Sequence, residues 1–222
     1  MTAPAVVFDL DGTLIDSLPD LLAAVNRMLG AEGQPPMDRA EVQSYVGDGA
    51  PRLVARVMAA RGLAPARHAA LSAALVADYT AHAAEATRLY PGVAAALADL
   101  AAAGHPLGLC TNKPLGATRA VIGALGLGEN FAAIIGGDSL TARKPDPAPL
   151  WAVFAELGRP GIYVGDSEVD ARAAEAAGVP FLLHAGGYLR VPRSEIRVHS
   201  AFDDFAALPG LVADLAGVAG AL

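Results

Sequence analysis

The fold class that this sequence predicts is α/β, a doubly wound parallel sheet carrying an inserted α-helical domain. Three observations predict it. Short apolar runs alternate with helical patterning from Leu89 onward, and the runs end in Gly, Asp, Thr or Asn. The long segment after the first run, residues 16–86, reads as helices with no strand. Hydrophobic residues make up 54% and charged residues 18% of the 222-residue chain, a globular profile with room for a large core and an insertion.

Each element has a local reason. Ala5-Val6-Val7-Phe8 is uncharged, β-branched and aromatic, so it reads as the first strand; Asp9-Leu10-Asp11-Gly12-Thr13 breaks it. Ser17, with Pro19 and Asp20 behind it, reads as a capped start of a helix reaching Leu29. Gly30 and Gly33-Gln34-Pro35-Pro36 stop that helix. Asp38 and Glu41 have capping-box spacing and open a short helix that ends at Gly47-Asp48-Gly49. Two more helices run from about Pro51 to Ala60 and from about Ala66 to Ala84. Four helices are too many for one crossover between neighbouring strands. Residues 16–86 are therefore read as the inserted domain, and residues 1–15 with 87–222 as the core, with hinges near Ile15-Asp16 and Ala86-Thr87.

In the core, Pro91-Gly92 opens a helix that ends at Gly104. The second strand, Pro106–Cys110, ends in Thr111-Asn112-Lys113-Pro114 and leads to a helix from about Leu115 to Leu125. The third, Ala132–Ile135, ends in Gly136-Gly137-Asp138; Lys144-Pro145-Asp146-Pro147 precedes the next helix, from about Ala148 to Leu157. The fourth, Gly161–Val164, ends in Gly165-Asp166-Ser167, before a helix from about Val169 to Ala177; Val179–Leu183 is the fifth. From Tyr188 onward the pattern is weaker, with a short helix start at Phe202-Asp203-Asp204-Phe205 and an Ala- and Gly-rich tail read as a terminal helix or frayed end.

Composition excludes several functions. A net charge of −7 does not suit a nucleic-acid binder, which needs a basic face to neutralise phosphates. A small phosphorylated ligand needs only a local cation and stays compatible. The single cysteine, Cys110, sits inside a strand, forms no internal disulfide and reads as a packing residue of a protein from a reducing compartment. The N-terminus has no basic region before the apolar run meets Asp9, and no apolar stretch is long enough to span a bilayer, so a cytoplasmic protein without a membrane partner is expected. His68, His82, His105, His184 and His199 show no metal-ligand spacing.

A parallel sheet brings its strand ends to one edge, so Asp9 and Asp11, Thr111 and Asn112, and Asp166 are expected to converge there, with Lys144 nearby. Two carboxylates two residues apart repel and want a cation or a proton. Lys144 before a helix opposes the helix dipole, which favours a functional reading over a surface one. Asp170 lies one helical turn after Asp166 and is either a ligand-orienting carboxylate or a helix N-terminal one. Lys113 either reaches a substrate carboxylate or is solvated.

Asp9-Leu10-Asp11-Gly12-Thr13, Thr111-Asn112, Lys144-Pro145 and Gly165-Asp166-Ser167-Glu168-Val169-Asp170 resemble, in order, the four motifs of the haloacid-dehalogenase superfamily. The resemblance covers nearly the whole chain and implies a Rossmann-like core with a helical cap. A narrower resemblance joins it to the bacterial phosphoglycolate phosphatases, carried by Asp16–Asp20, Val46–Ala50, Thr111–Pro114, Gly136–Ser139 and Arg143–Leu150. Asp146 stands where that group often has His.

The resemblance implies a Mg²⁺-dependent phosphatase acting on a small phosphorylated metabolite. 2-Phosphoglycolate is the expected substrate; sugar phosphates, pyrophosphate and mutase chemistry are the alternatives. It implies Asp9 as nucleophile, forming an aspartyl-phosphate, and Asp11 as acid–base. Thr111, Asn112 and Lys144 are implied to bind phosphate. Asp9, Asp166 and the backbone carbonyl of Asp11 are implied to hold the metal, with Asp170 acting through water or by orienting Asp166. Gly47, Asp48, Gly49 and Arg52 are the expected specificity residues of the cap; the glycines permit close backbone approach, and Arg52 either pairs with a carboxylate or is solvated.

Overall fold

The computed structural model describes residues 2–219. In chain order its strands are β1 (Ala5–Phe8), β2 (Ile15–Asp16), β3 (Arg88–Leu89), β4 (Leu107–Cys110), β5 (Ala133–Ile135), β6 (Gly161–Gly165), β7 (Phe181–His184) and β8 (Ser200–Phe202). The helices are α1 (Leu18–Ala31), α2 (Arg39–Gln43), α3 (Ala50–Arg61), α4 (His68–Ala81), α5 (Val93–Ala102), α6 (Leu115–Ala124), α7 (Ala148–Glu156), α8 (Glu168–Ala177) and α9 (Leu208–Ala219).

Six strands form one parallel sheet in the order β5-β4-β1-β6-β7-β8. The chain steps outward from β1 through β4 to β5, then returns to the other side of β1 with β6. That reversal opens a crevice at the carboxyl ends of β1, β4 and β6, where ligands of such sheets bind. β1 is buried throughout, with Val6 and Phe8 packing into one apolar cluster and Ala5 and Val7 into the other. This period-two split lets an uninterrupted apolar run serve both covered faces. Fully burying the Val6, Val7 and Phe8 side chains contributes about 1.5–3 kcal/mol of transfer free energy each.

Two strand features differ from the sequence expectation. β8 is a sixth core strand that pairs with β7, and Phe202 ends it rather than starting a helix. Asp204 then caps a short 3₁₀ turn, Phe205–Ala207, ahead of α9; the tail residues 220–222 lie outside the described residues. The second difference is an antiparallel ribbon of β2 and β3, with Ile15 opposite Leu89 and Asp16 opposite Arg88.

Between the ribbon's two strands the regular elements are helical: α1 to α4, with a 3₁₀ turn at Pro65–Arg67. The Asp38–Glu41 capping box forms as its spacing predicts, with the Asp38 side chain accepting from Glu41 N at 2.8 Å and Glu41 Oε2 accepting from Asp38 N at 2.9 Å. Ser17 does not cap α1. Its φ of −94° and ψ of −3° are already helical, so the hydroxyl is not aimed back at the first turn. Asp16 Oδ1 and Tyr188 Oη accept from Leu18 N instead, each at 3.2 Å. The buried Asp20 carboxylate accepts from Ala86 N and Thr87 N, bracing the return into β3. Apolar contacts run from the sheet through Leu14 and Leu18 to Leu53, Leu75 and Tyr79, so core and insert share one hydrophobic cluster. Among the described residues no helix is long and apolar enough to cross a membrane.

Candidate active site

Asp9, the first residue past β1, is held by a ladder bond from its N–H to Val164 O at 2.9 Å. Thr111 follows β4 and donates to Ile135 O in the same way, at 3.0 Å. Asp166 follows β6. The sheet register thus brings the three strand ends together. Between Leu10 and Ile15 the chain makes a tight turn, in which Thr13, Leu14 and Ile15 all donate to Leu10 O. Gly12 adopts φ +85° there, and a Cβ on it would lie 2.3 Å from Asp166 Oδ2. No other residue type fits that approach.

Lys144 is buried at the centre of the site. Its ammonium donates to Asp170 Oδ1 at 2.6 Å and Tyr163 Oη at 2.7 Å, and lies 3.0 Å from Asp9 Oδ1. The last approach lacks hydrogen-bond geometry, so Asp9 Oδ1 is buried without a hydrogen-bond partner. Burial alone would lower the Lys144 pKa, but the charges of Asp170 and Asp9 drive it upward, so the amine stays protonated. Asp170 is the reciprocal case: burial raises its pKa, and Lys144, Ser167 and Tyr163 more than offset that. Its Oδ2 accepts from both Ser167 N and Ser167 Oγ, which also makes it part of the capping box that starts α8.

Asp166 accepts from Thr13 Oγ1 at 2.8 Å and from Tyr188 N at 2.6 Å. Burial, then the Asp170 and Asp9 charges, still push its pKa well up. Asp9 is pushed up to about 7, chiefly by burial, with Lys144 opposing and Asp170 and Asp11 adding to the rise. Asp9, Asp166 and Asp170 each offer a carboxylate oxygen within 4.8 Å of the others. A buried set of hard oxygens, one of them without a hydrogen-bond donor, facing a single lysine, fits a divalent cation.

Asp11 meets a different cation. Its carboxylate accepts from Lys113 Nζ at 2.9 and 3.2 Å, and Tyr79 Oη from the insert accepts from the same ammonium at 2.9 Å. Lys113 is buried rather than solvated. Asn112 Nδ2 donates to Lys144 O at 3.0 Å and to Gly47 O at 3.1 Å, so its amide ties the two loops together.

A small cavity lies between core and insert. Asp9, Asp11, Thr111 and Lys113 line one side; Val46, Gly47, Gly49, Leu53, Leu75 and Tyr79 line the other. Gly49 has φ +85°, and a Cβ on it would lie 3.0 Å from Asn112 O, so a glycine brings this loop onto the core. The other expected insert residues face elsewhere. Asp48 pairs with Arg56 at 2.6 Å and Arg190 at 2.8 Å, and these arginines overcome its burial to lower its pKa. Arg52 is exposed and does not line the cavity, because Leu53 takes the inward face of α3.

Sequence reasoning passed over Thr13, Tyr79, Tyr163, Tyr188 and Arg190. Arg190 also grips Glu168, with Nε donating to Oε1 at 2.7 Å, so it links the α8 start to the insert loop. Tyr188 Oη donates to Asp16 Oδ1 at 2.7 Å, joining the metal-type cluster to the ribbon. A phenol and a guanidinium in a loop are the signal that was available. Cys110 is packed under the site with its thiol pushed up to about 12 by burial, as a core cysteine should be.

A haloacid dehalogenase-like hydrolase family model matches residues 3–178. A phosphoglycolate phosphatase of Cereibacter sphaeroides is 51% identical over 212 residues, covering 94% of this chain and 97% of the relative. The crystal structure of a predicted phosphoglycolate phosphatase from Haemophilus somnus superimposes with a TM-score of 0.88 at 32% identity, covering 95% of this chain and 99% of the other. A mutant of CbbY from Rhodobacter sphaeroides, in complex with xylulose-(1,5)bisphosphate, superimposes with a TM-score of 0.81 at 28% identity, covering 94% and 96% of the two chains.

Proposed function

The chain belongs to the haloacid dehalogenase-like hydrolases and is a phosphoric monoester hydrolase, and from that premise we propose that it converts 2-phosphoglycolate to glycolate and phosphate. The observation that carries this reading is the buried meeting of Asp9, Lys144 and Asp166 at one sheet edge, beside a small cavity closed by the insert.

Uncatalysed monoester hydrolysis is very slow, and the phosphoryl oxygens repel an incoming anion. Asp9 is the nucleophile in this reading, attacking phosphorus to give an aspartyl-phosphate. Lys144 holds a positive charge beside Asp9 and offers it to the phosphoryl oxygens. The Thr111 hydroxyl and the backbone N–H of Asn112 hold the same oxygens, while the Asn112 amide keeps Lys144 and the Gly47 loop in place. Asp11 gives a proton to the departing alkoxide and later takes one from the attacking water. Mg²⁺ bound by Asp9, Asp166 and the Asp11 backbone carbonyl would neutralise phosphoryl charge and keep Asp9 ionised. Asp170 fixes Lys144 and the start of α8 rather than facing substrate.

Residues 16–86 act as a cap that closes over bound substrate and excludes water, moving about the β2–β3 ribbon. Its loop Gly47-Asp48-Gly49 is the specificity element, with Asp48 anchoring it to Arg190. Arg52 contributes charge at the cap surface.

Phosphate release from 2-phosphoglycolate, sugar phosphates, pyrophosphate and nucleotides, each with Mg²⁺, tests the reading. 2-Phosphoglycolate is expected to have the highest kcat/KM. The likeness to a CbbY complex that contains a sugar bisphosphate makes a sugar-phosphate phosphatase the second reading, and a preference for sugar phosphates in that panel would establish it.

A further inference from the structure

We infer that Lys113 and Tyr79 form the subsite that recognises a second anionic group of the substrate, the carboxylate of a short phosphorylated hydroxy acid. The inference rests on the phosphatase reading above and adds the residues that select the substrate.

The cavity wall contributed by the insert is largely apolar, with Val46, Leu53 and Leu75 facing inward. Among the described residues lining the cavity, Lys113 is the one cationic side chain. A substrate anion entering this space leaves water and needs a compensating charge. Lys113 is buried, with its ammonium held between the Asp11 carboxylate and the Tyr79 hydroxyl, each at 2.9 Å. The Tyr79 ring also lies under the ammonium, 4.0 Å from Nζ to its centroid. Core loop and insert helix each supply one half of the subsite, so it is complete when the two are together.

Bond lengths then select the size of the substrate. Asp11 must meet the leaving oxygen at a hydrogen-bond distance of about 2.7 Å. Lys113 Nζ is 2.9 Å from Asp11 Oδ1. In a phosphorylated 2-hydroxy acid the carboxyl carbon is two bonds from that leaving oxygen. An ammonium touching Asp11 is therefore within reach of that carboxylate, and the Tyr79 hydroxyl adds a donor beside it. The second phosphate of a sugar bisphosphate lies several bonds further away and misses this subsite.

The experiment compares 2-phosphoglycolate with ethyl phosphate, which has the same chain length and no carboxylate, in wild type, Lys113→Met, Lys113→Arg and Tyr79→Phe. Lys113→Met should lower kcat/KM for 2-phosphoglycolate by about thirtyfold or more beyond its effect on ethyl phosphate, since a site built for a polar group discriminates by loss of that partner. Lys113→Arg should recover part of the preference. Tyr79→Phe should narrow it about threefold to tenfold, mostly through KM. Equal losses on both substrates in Lys113→Met and Tyr79→Phe overturn the inference and leave Lys113 a partner of Asp11 alone. If Lys113→Met does not fold, as judged by circular dichroism, Tyr79→Phe and Lys113→Arg decide by the same ratio. Should wild type prefer a longer carboxylate ester such as 3-phosphoglycerate, the 2-phosphoglycolate reading falls. The role of Lys113 and Tyr79 then stands only if that preference also narrows in the variants.

Discussion

The sheet edge and the Gly47–Gly49 loop both border the same cavity, yet they hold their residues by different means. At the edge, Asp9, Thr111 and Asp166 each sit one residue past a strand, and the ladder between β4, β1 and β6 leaves no freedom in where they meet. Their charges are buried and close, so each carboxylate feels the next. The loop instead spans two helices of the insert and is held by side chains, through Asn112 on Gly47 O and through Arg190 and Arg56 on Asp48. Rigid backbone carries chemistry that tolerates no displacement. Side-chain ties suit an arrangement that opens and closes in the proposed cycle.

The largest expected effect belongs to the edge. Asp9→Asn should lower kcat by about 10⁴-fold or more while leaving the melting temperature unchanged or higher, because burial already disfavours the Asp9 charge and raises its pKa to about 7. Near-normal turnover by a preparation free of other phosphatases would show that the edge does not hold the nucleophile.

Lys144→Met should cost both activity and fold. It leaves Asp9 and Asp170 facing each other without a cation, a loss of about 3–5 kcal/mol for a broken buried pair. Urea unfolding measures it, and a change below about 1 kcal/mol would contradict the central place given to this lysine.

Next comes the cation. Asp9 is raised from 3.8 to about 7, so the metal-free folded chain binds a proton that the unfolded chain has already released. Stability of the chelated protein should therefore fall as pH rises from about 4 to about 7. Adding Mg²⁺ should raise the melting temperature more at about pH 7 than at about pH 5. A gain independent of pH would count against Asp9 as a metal ligand.

The loop should respond more mildly. Arg190→Gln frees Asp48 and Glu168 from their shared partner, and is expected to raise KM about tenfold with kcat changed less than about threefold. If kcat falls as steeply as in the edge variants, the contrast between the two regions is wrong. Smallest of all is Arg52→Gln, expected to change kcat/KM by less than about twofold because the side chain is exposed away from the cavity. Substrate assays with both variants place them on one scale.

The same contrast explains what could be read in advance. Strand ends are legible because an apolar run that stops at Asp, Thr or Gly names both its own boundary and the edge it reaches; Asp9, Thr111 and Asp166 follow from that rule. The Asp38 capping box was legible because both partners lie within one turn. β8 was not, since Ser200-Ala201-Phe202 is too short to show a period and exists only as a partner of β7. The two-residue strands of the ribbon fail in the same way. In the insert, helical spacing locates α3 but does not say which face meets the core. Arg52 and Arg56, one turn apart, were therefore indistinguishable until Leu53 and Val54 were seen buried. Tyr188 and Arg190 reach partners more than a hundred residues away, Tyr188 at Asp16 and Arg190 at Asp48, across contacts that no local pattern encodes.

The ribbon has one more consequence. The chain leaves the core at Ile15 and returns at Leu89, and these two residues are directly paired. The excursion between them has no net displacement. Any segment whose ends lie one strand spacing apart would join the same two stubs without disturbing β1 or the strands beside it. The insert is thus an exchangeable cassette: its lining can be altered while the sheet edge proposed for phosphoryl transfer stays as it is.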